Sequence, residues 1–328
     1  MRDDLILRPD DIDFRLYERE TDAKRNVKSA AEWVDELIHR LRNPDLSHKC
    51  ELPWEKARGL FHFRPGEVSL IAGQNGHGKT GIVNQIALSL IGQGQKVVCA
   101  SFEMKPLKTI EHMARMFAGM NPFSPEFQGA DGLDAVEDLF GQFKDWAKQS
   151  LWLYDQQGTA DTRNVLGMAR YSAKELGCTH VVIDNLAKCV SDEDDFNGQK
   201  RFVDELTALA RDCNVHVHLV HHLRKPANEN AVPDKHDSKG SGSITDQVDN
   251  VLLVWRNKGK EDEVKAGKRH GPKASEPDTY LLCRKQRNGE EEPTIGLWFH
   301  RDSKQFVGAA EDPAMFFHNW PHRPTKYQ

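Results

Sequence analysis

The chain has 328 residues, 38% hydrophobic and 29% charged, and its 45 Lys+Arg against 50 Asp+Glu leave a net charge of -5. That length suits one large or two ordinary domains, and the charge balance excludes a globally basic nucleic-acid binder but not a local basic channel. No apolar run approaches bilayer length, the acidic start MRDDLILRPDDIDF is unlike a signal peptide, and the six cysteines form no C-x-x-C pair; the expected setting is a reducing cytoplasm, with no membrane and no zinc or disulfide framework.

Residues 1–27 are charged and aperiodic and read as an irregular arm. Ser29 and Glu32 have capping-box spacing at the head of a helix over 29–42, and Asn43-Pro44 stops it. Trp33, Leu37, Ile38 and Leu41 share one face of that helix. The periodicity fits packing on its own domain and docking on a neighbouring subunit equally well.

From residue 66 apolar strands alternate with helices. Strands are expected at Val68–Ala72, Lys96–Ala100, Leu151–Tyr154, Val181–Ile183 and Val215–Val220, and helices at Gly81–Leu90, Pro106–Gly119, Thr162–Leu176 and Gln199–Asp212. This alternation implies a mostly parallel sheet covered on both faces. Val251–Trp255, Tyr280–Cys283 and Gly296–Phe299 follow without a long helix between them and read as added, partly antiparallel edge strands. Leu223 to about Ser243 and Asn257 to about Asp278 read as long loops, of the kind that are usually functional or disordered.

Gly73-Gln74-Asn75-Gly76-His77-Gly78-Lys79-Thr80 fits G-x-x-x-x-G-K-[ST] between an apolar strand and a helix. Such a turn wraps backbone N–H groups around phosphates, and the helix N-terminus adds a field that favours anions. Lys79 would reach the β- and γ-phosphates of ATP, and the Thr80 hydroxyl would hold Mg²⁺. Asp184 ends the apolar run His180–Ile183, where a metal-ordering carboxylate is needed. Residue 185 is Asn, so the candidate for activating water is Glu103, just after the second strand; a glutamate there would also suit the start of a helix on dipole grounds alone.

Several motifs in order resemble the C-terminal motor domain of hexameric replicative DNA helicases, the group of DnaB, Twinkle and the phage primase-helicases. Phe63-Arg64-Pro65-Gly66-Glu67 leads into the P-loop strand; Ser101-Phe102-Glu103-Met104, Ile183-Asp184-Asn185-Leu186, His221-His222-Leu223-Arg224-Lys225-Pro226, Gly240-Ser241-Gly242 through Asp249-Asn250, and Lys285-Gln286-Arg287-Asn288-Gly289 follow. The resemblance covers about residues 52–306. It implies a RecA-like P-loop ATPase core, a mostly parallel α/β sheet flanked by helices with C-terminal edge strands. Residues 1–51 then form an arm with a docking helix, and 307–328 a tail whose Phe316, Phe317, Trp320 and Tyr327 either meet a partner or fold back.

By the same resemblance Glu103 is the catalytic base, His222 the γ-phosphate sensor with His221 as its rival, Arg287 an arginine finger toward the next subunit's ATP, and Lys285 its companion. The segment after His222 corresponds to the DNA loop of a central channel, with Arg224, Lys225, Lys235, Lys239 and Gly240 as its contacts. No Phe, Trp or Tyr lies between Leu223 and Ser243, so this loop would follow the phosphate backbone without stacking bases or reading sequence. The expected partners are single-stranded DNA, further copies in a ring, most simply a hexamer, and replication proteins such as a primase, polymerase or loader, in a prokaryote or phage. A RecA-like recombination or regulatory scaffold that does not unwind DNA is the alternative; a small-substrate kinase ranks last, for want of an acceptor lid.

Two further clusters stand out. Arg256, Lys258, Lys260, Lys265, Lys268, Arg269 and Lys273 make the second long loop the most basic stretch, either a second nucleic-acid contact or a disordered, solvated insertion, with the insertion preferred. His216 and His218 alternate on a strand near His221 and His222, but without a cysteine partner they read as core or surface histidines, not a zinc site.

Overall fold

A computed structural model describes residues 6–17, 30–42, 49–190, 195–223, 231–234, 242–268 and 271–317. The described elements begin with β1 (Ile6–Leu7), α1 (Ala30–Arg42), β2 (Cys50–Glu51), β3 (His62–Phe63), β4 (Val68–Gly73) and α2 (Lys79–Gly92). Next come β5 (Val97–Ser101), α3 (Pro106–Ala118), α4 (Ala130–Ala147), β6 (Leu151–Tyr154), α5 (Thr162–Glu175), β7 (His180–Asp184), α6 (Phe196–Cys213) and β8 (His216–His222). The chain continues through α7 (Gly242–Gln247), β9 (Asn250–Arg256), α8 (Lys258–Lys265), β10 (Thr279–Gln286), β11 (Thr294–His300) and β12 (Gln305–Val307).

One sheet of order β1-β6-β5-β7-β8-β4-β9-β10-β11-β12 organises these elements. It is parallel from β1 to β9 and antiparallel from β9 to β12. Every residue of β4, β6 and β7 is buried, which is why these strands read as unbroken apolar runs and not as alternating ones. One face is covered by α2, α3 and α4 together with Trp54, Phe61 and Phe63 around the β2–β3 ribbon. The other face is covered by α5 and α6. Pro106 at the first position of α3 and a left-handed Gly119 after its end bound that helix.

The structure departs from the sequence reading in several places. Part of the arm belongs to the domain: β1 pairs in parallel with Leu153 and Tyr154, and Ile12 and Tyr17 are buried. Helix α4 is missing from the alternation read in the sequence, because glycines and acidic residues interrupt its composition; it buries Val136, Leu139, Phe143 and Ala147 at helical spacing. The supposed loop 257–278 contains α8, capped by the Asn257 side chain. Its cations pair locally: Glu261 meets Arg256, Lys258 and Lys265, while Lys260 reaches Asp278 at 2.9 Å. Residues 258–265 are therefore helical and not an irregular loop. On α1, Val34, Leu37, Ile38 and Leu41 are exposed, so these residues do not pack on the domain. At the other end Ala314 is buried and Phe317 packs on Trp146, so the tail folds back at least to there; Trp320 and Tyr327 lie outside the described residues.

A polar cluster is sealed beneath β3, at the end of the sheet where β4 begins. His180, His216 and His218 are buried with their rings in contact, and Phe63 meets His216 and His218 edge to face. The Nδ1–H of His216 donates to the Arg64 carbonyl at 2.7 Å, so its Nε2 accepts from Ser69 Oγ at 2.9 Å. His180 and His218 share one hydrogen bond at 3.0 Å. No described group of His, Cys, Asp or Glu has metal-holding geometry.

Burial holds all three rings neutral, with His216 pushed down to about 4 and the other two well below the usual range. His77 is likewise pushed down to about 4, mainly by burial. Because the folded values lie below the unfolded value near 6.5, the stability they contribute is complete above that pH and is lost as pH falls from ~6.5 toward 4. Urea unfolding midpoints are accordingly expected to stay level from pH 8 to 7 and then fall steeply to pH 5. His218→Gln should flatten the slope by about one proton.

Candidate active site

The parallel register brings four strand ends to one edge. Gly73 is opposite His222 and Val254, and Ser101 is opposite Asp184. Two glycines of the P-loop have no room for a side chain. A Cβ on Gly73 would lie 2.6 Å from the Val254 carbonyl oxygen. Gly78 has φ +92°, and a Cβ there would meet the Phe306 ring at 2.9 Å. Helix α2 starts directly after it, with no side-chain cap and no acidic residue in its first turn, so its leading N–H groups face the loop as an anion site.

Lys79 folds back onto the loop, donating from Nζ to the carbonyls of Gly73 at 2.9 Å and Gln74 at 3.0 Å. Burial pulls its pKa down, opposed by Asp184 and Glu103. The Thr80 hydroxyl donates to Asp184 Oδ2 at 2.8 Å. Burial pushes the Asp184 carboxyl up to about 6, and the nearby Glu103 charge adds to this while Thr80 and Lys79 act against it. Close by, Ser101 Oγ and Asn185 Oδ1 are buried with no hydrogen-bond partner among the described residues. Two hard oxygens on facing elements, with spare polar atoms beside them, are a donor set that fits a divalent cation, and the Lys79 ammonium suits the phosphates that such a cation would accompany.

Glu103 follows β5, and His222 ends β8. Between them stands Asn185, fully buried, whose amide donates to Glu103 Oε1 at 2.6 Å and contacts His222 Nε2 at 2.7 Å. His222 Nε2 is itself 3.6 Å from Glu103. Of the two adjacent histidines, His222 is thus the one in the site, and His221 is buried in the strand. The sequence marks Asn185 only as not being a glutamate; its bridging position is not legible there, because it depends on the order β5-β7-β8. Arg256 is a second member of the site that its motif-poor surroundings conceal. It donates from Nη1 to the Gly76 carbonyl at 3.1 Å and from its backbone N–H to His77 Nδ1 at 3.2 Å.

Lys285 and Arg287 do not join this group. They lie at and just after the end of β10, where Gln286 pairs with Asn250 and so with the start of β4. Arg287 bonds Asp249 Oδ1 at 2.7 Å, and Lys285 bonds carbonyls of residues 245, 246 and 248. Arg224, Lys225, Lys235, Lys239 and Gly240 lie outside the described residues. No helix among the described residues is long and apolar enough to cross a membrane.

Known proteins resemble this chain. The DNA helicase/primase of Enterobacteria phage T3 is 27% identical over 208 residues, which is 59% of this chain and 36% of the phage protein; the match thus spans little more than a third of that relative's length. A DnaB-like replicative helicase, solved with its interactions with primase, superimposes with TM-score 0.67 at 17% identity, covering 86% of this chain and 67% of the other. A second solved structure, an ATPase domain, gives TM-score 0.69 at 17% identity, with 86% of this chain and 99% of that one covered. At that identity the two structures speak for the fold. The family model described as the DnaB-like helicase C terminal domain matches residues 58–308, from just before β3 to just past β12, and the chain belongs to that family.

Proposed function

We propose that the chain is the ATP-driven motor of a replicative DNA helicase, a ring, most simply a hexamer, that moves along single-stranded DNA and separates duplex. The observation that carries this is the joining of the Thr80–Asp184 pair to the Glu103–Asn185–His222 chain on adjacent strand ends, within a DnaB-like domain. Gly73 to Thr80 hold the triphosphate of ATP, with Lys79 exchanging its loop carbonyls for phosphate oxygens. Thr80 and Asp184 hold Mg²⁺, which when bound supplies charge neutralisation at the phosphates. Glu103 takes the proton of the attacking water. Asn185 holds Glu103 in place and links it to His222, which reports whether a γ-phosphate is present.

Arg287 completes a neighbour's site and not its own. It lies at the opposite end of β4 from Gly73, and five steps of strand at ~3.3 Å each amount to about 17 Å, beyond the reach of an arginine side chain. The exposed stripe Val34, Leu37, Ile38 and Leu41 on α1 supports docking on an adjacent subunit. Arg224, Lys225, Lys235, Lys239 and Gly240 are the proposed DNA contacts, and primase, polymerase or loader proteins the proposed wider partners. ATP-dependent strand displacement on a forked substrate is the deciding assay; DNA-stimulated ATPase without displacement would favour the scaffold reading.

Mutation of the site has defined consequences. Lys79→Ala loses ATP turnover while the fold remains. Glu103→Gln keeps ATP binding and loses ~10²-fold or more in turnover, checked by fluorescent-nucleotide titration beside phosphate release. Normal turnover in Glu103→Gln would make Glu103 a structural residue.

Asp184→Asn separates stability from activity. A carboxyl raised from 3.8 to about 6 by burial costs stability wherever it is ionised in the fold, so the cost is complete at neutral pH. The variant should lose hydrolysis, yet unfold in nucleotide-free buffer at pH 7 with a stability gain of up to ~3 kcal/mol. Calorimetry with and without ATP and Mg²⁺ tests this; a large loss of nucleotide-free stability would contradict the assignment.

Mixing tests the junction. Arg287→Ala has a working cradle and no finger, and Lys79→Ala the reverse. After subunit exchange, mixtures should hydrolyse ATP faster than the sum of the parents, because some junctions pair an intact cradle with an intact finger. If no mixing ratio exceeds that sum despite demonstrated exchange, Arg287 does not act in trans.

A further inference from the structure

A dense charge cluster lies away from the nucleotide site, at the end of the sheet where β4 and β9 begin. Lys285 Nζ donates to three carbonyls at the end of α7: Thr245 at 2.8 Å, Asp246 at 2.9 Å and Val248 at 2.7 Å. Arg287 is tied to the same turn. Its Nη1 donates to Asp249 Oδ1 at 2.7 Å, its Nη2 to the Asp246 carbonyl at 3.3 Å, and its backbone N–H to the Asp249 carbonyl at 3.0 Å. The Asp249 side chain is only 5% exposed. Its other oxygen accepts from the N–H of Val68, the first residue of the P-loop strand, at 3.0 Å. Arg211 Nη2 stands 3.9 Å from Asp249 Oδ1, but on a side chain 58% exposed.

Both cations assigned to a neighbour's phosphates are thus engaged within their own subunit. A charge-assisted bond from a guanidinium to a shielded carboxylate is among the stronger polar contacts in a fold. Lys285 meanwhile supplies positive charge where the carbonyls of α7 point outward. We propose that Asp249 is a positioning residue for Arg287: it holds the guanidinium in the subunit that owns it until the neighbour's triphosphate draws it away. The proposal rests on the junctional reading of Arg287 given above.

Asp249 and the triphosphate then compete for one cation. Each junction is active only for the fraction of time that the triphosphate wins, and the apparent rate is reduced by that fraction. The competition also has a route to DNA. Helix α7 follows directly, in sequence, the segment proposed to contact the strand, and it is the element that Lys285 and Arg287 grip. A DNA-bound state that shifts α7 weakens the resting hold on both cations together.

The test compares wild type, Asp249→Asn, Arg287→Ala and the double variant, as assembled full-length chains, in steady-state ATPase with and without an unstructured oligodeoxynucleotide. Asparagine keeps an oxygen for the Val68 N–H and removes the charge. Asp249→Asn should raise the DNA-free kcat by about three- to tenfold and shrink the stimulation by DNA. Arg287→Ala should be nearly inactive, and the double variant indistinguishable from it; a merely structural role for Asp249 would not produce a gain that depends on Arg287.

A DNA-free kcat at or below wild type in Asp249→Asn, with Arg287→Ala inactive, overturns the proposal and leaves the finger standing. A gain that persists in the double variant overturns it too, because Asp249 then acts elsewhere. Full activity in Arg287→Ala removes the finger reading itself. If Asp249→Asn does not assemble, Asp249→Ser is read in the same way. Failure of both to assemble marks Asp249 as a structural acid and overturns the proposal.

Discussion

The shared parallel register of β5, β7, β8 and β4 is the constraint from which the chemistry follows. Because these strands run the same way and end nearly level, the residues that terminate them meet at one edge: Glu103 after β5, Asp184 at the end of β7 with Asn185 after it, His222 on β8, and Gly73 on β4. The strand interiors are buried on both faces and, the paired histidines aside, mostly apolar, so a charged residue can emerge only where a strand stops. A slip of one residue in any pair would send these side chains to the wrong face. The tight contacts of Thr80 with Asp184 and of Asn185 with Glu103 are therefore consequences of backbone pairing as much as of the side chains themselves.

That constraint also sets what a sequence can reveal. The P-loop is legible because its glycines, lysine and threonine are close together, and it is flanked by a recognisable strand and helix. Asp184 and Glu103 are legible as acidic residues closing apolar runs. Asn185 is not, because its role exists only when β7 lies between β5 and β8, and strand order has no local signature. Helix α4 is obscured by Gly132 and Gly141 and by the acidic residues Asp131, Asp134, Glu137 and Asp138, although its buried residues keep a helical period. α8 is obscured in the opposite way, since a stretch dense in lysine looks like a solvated loop until Glu261, Asp278 and the Glu276 carbonyl are seen to meet those lysines.

Two charged centres stand out among the described residues, at the nucleotide edge and at the α7 turn. These two centres lie at opposite ends of β4. In the proposed ring, a cation at one end of the sheet would serve an anion at the other end of the next sheet, and the length of one short strand would set the spacing between what a subunit binds and what it contributes.

The packing of Phe306 against the P-loop has a bearing on synthesis. β12 is held to the domain by the Phe306 N–H to Gln85 Oε1 at 2.8 Å, by Gln85 Nε2 to the Phe306 carbonyl at 2.8 Å, and by Trp54 Nε1 to that carbonyl at 2.7 Å. Its ring lies over Gly78 and Gly81. The loop that cradles phosphate is therefore backed by a residue made more than two hundred positions later. On the ribosome, the nascent P-loop lacks that backing until β12 has emerged, so the nucleotide edge cannot reach its final packing before the end of the domain is made.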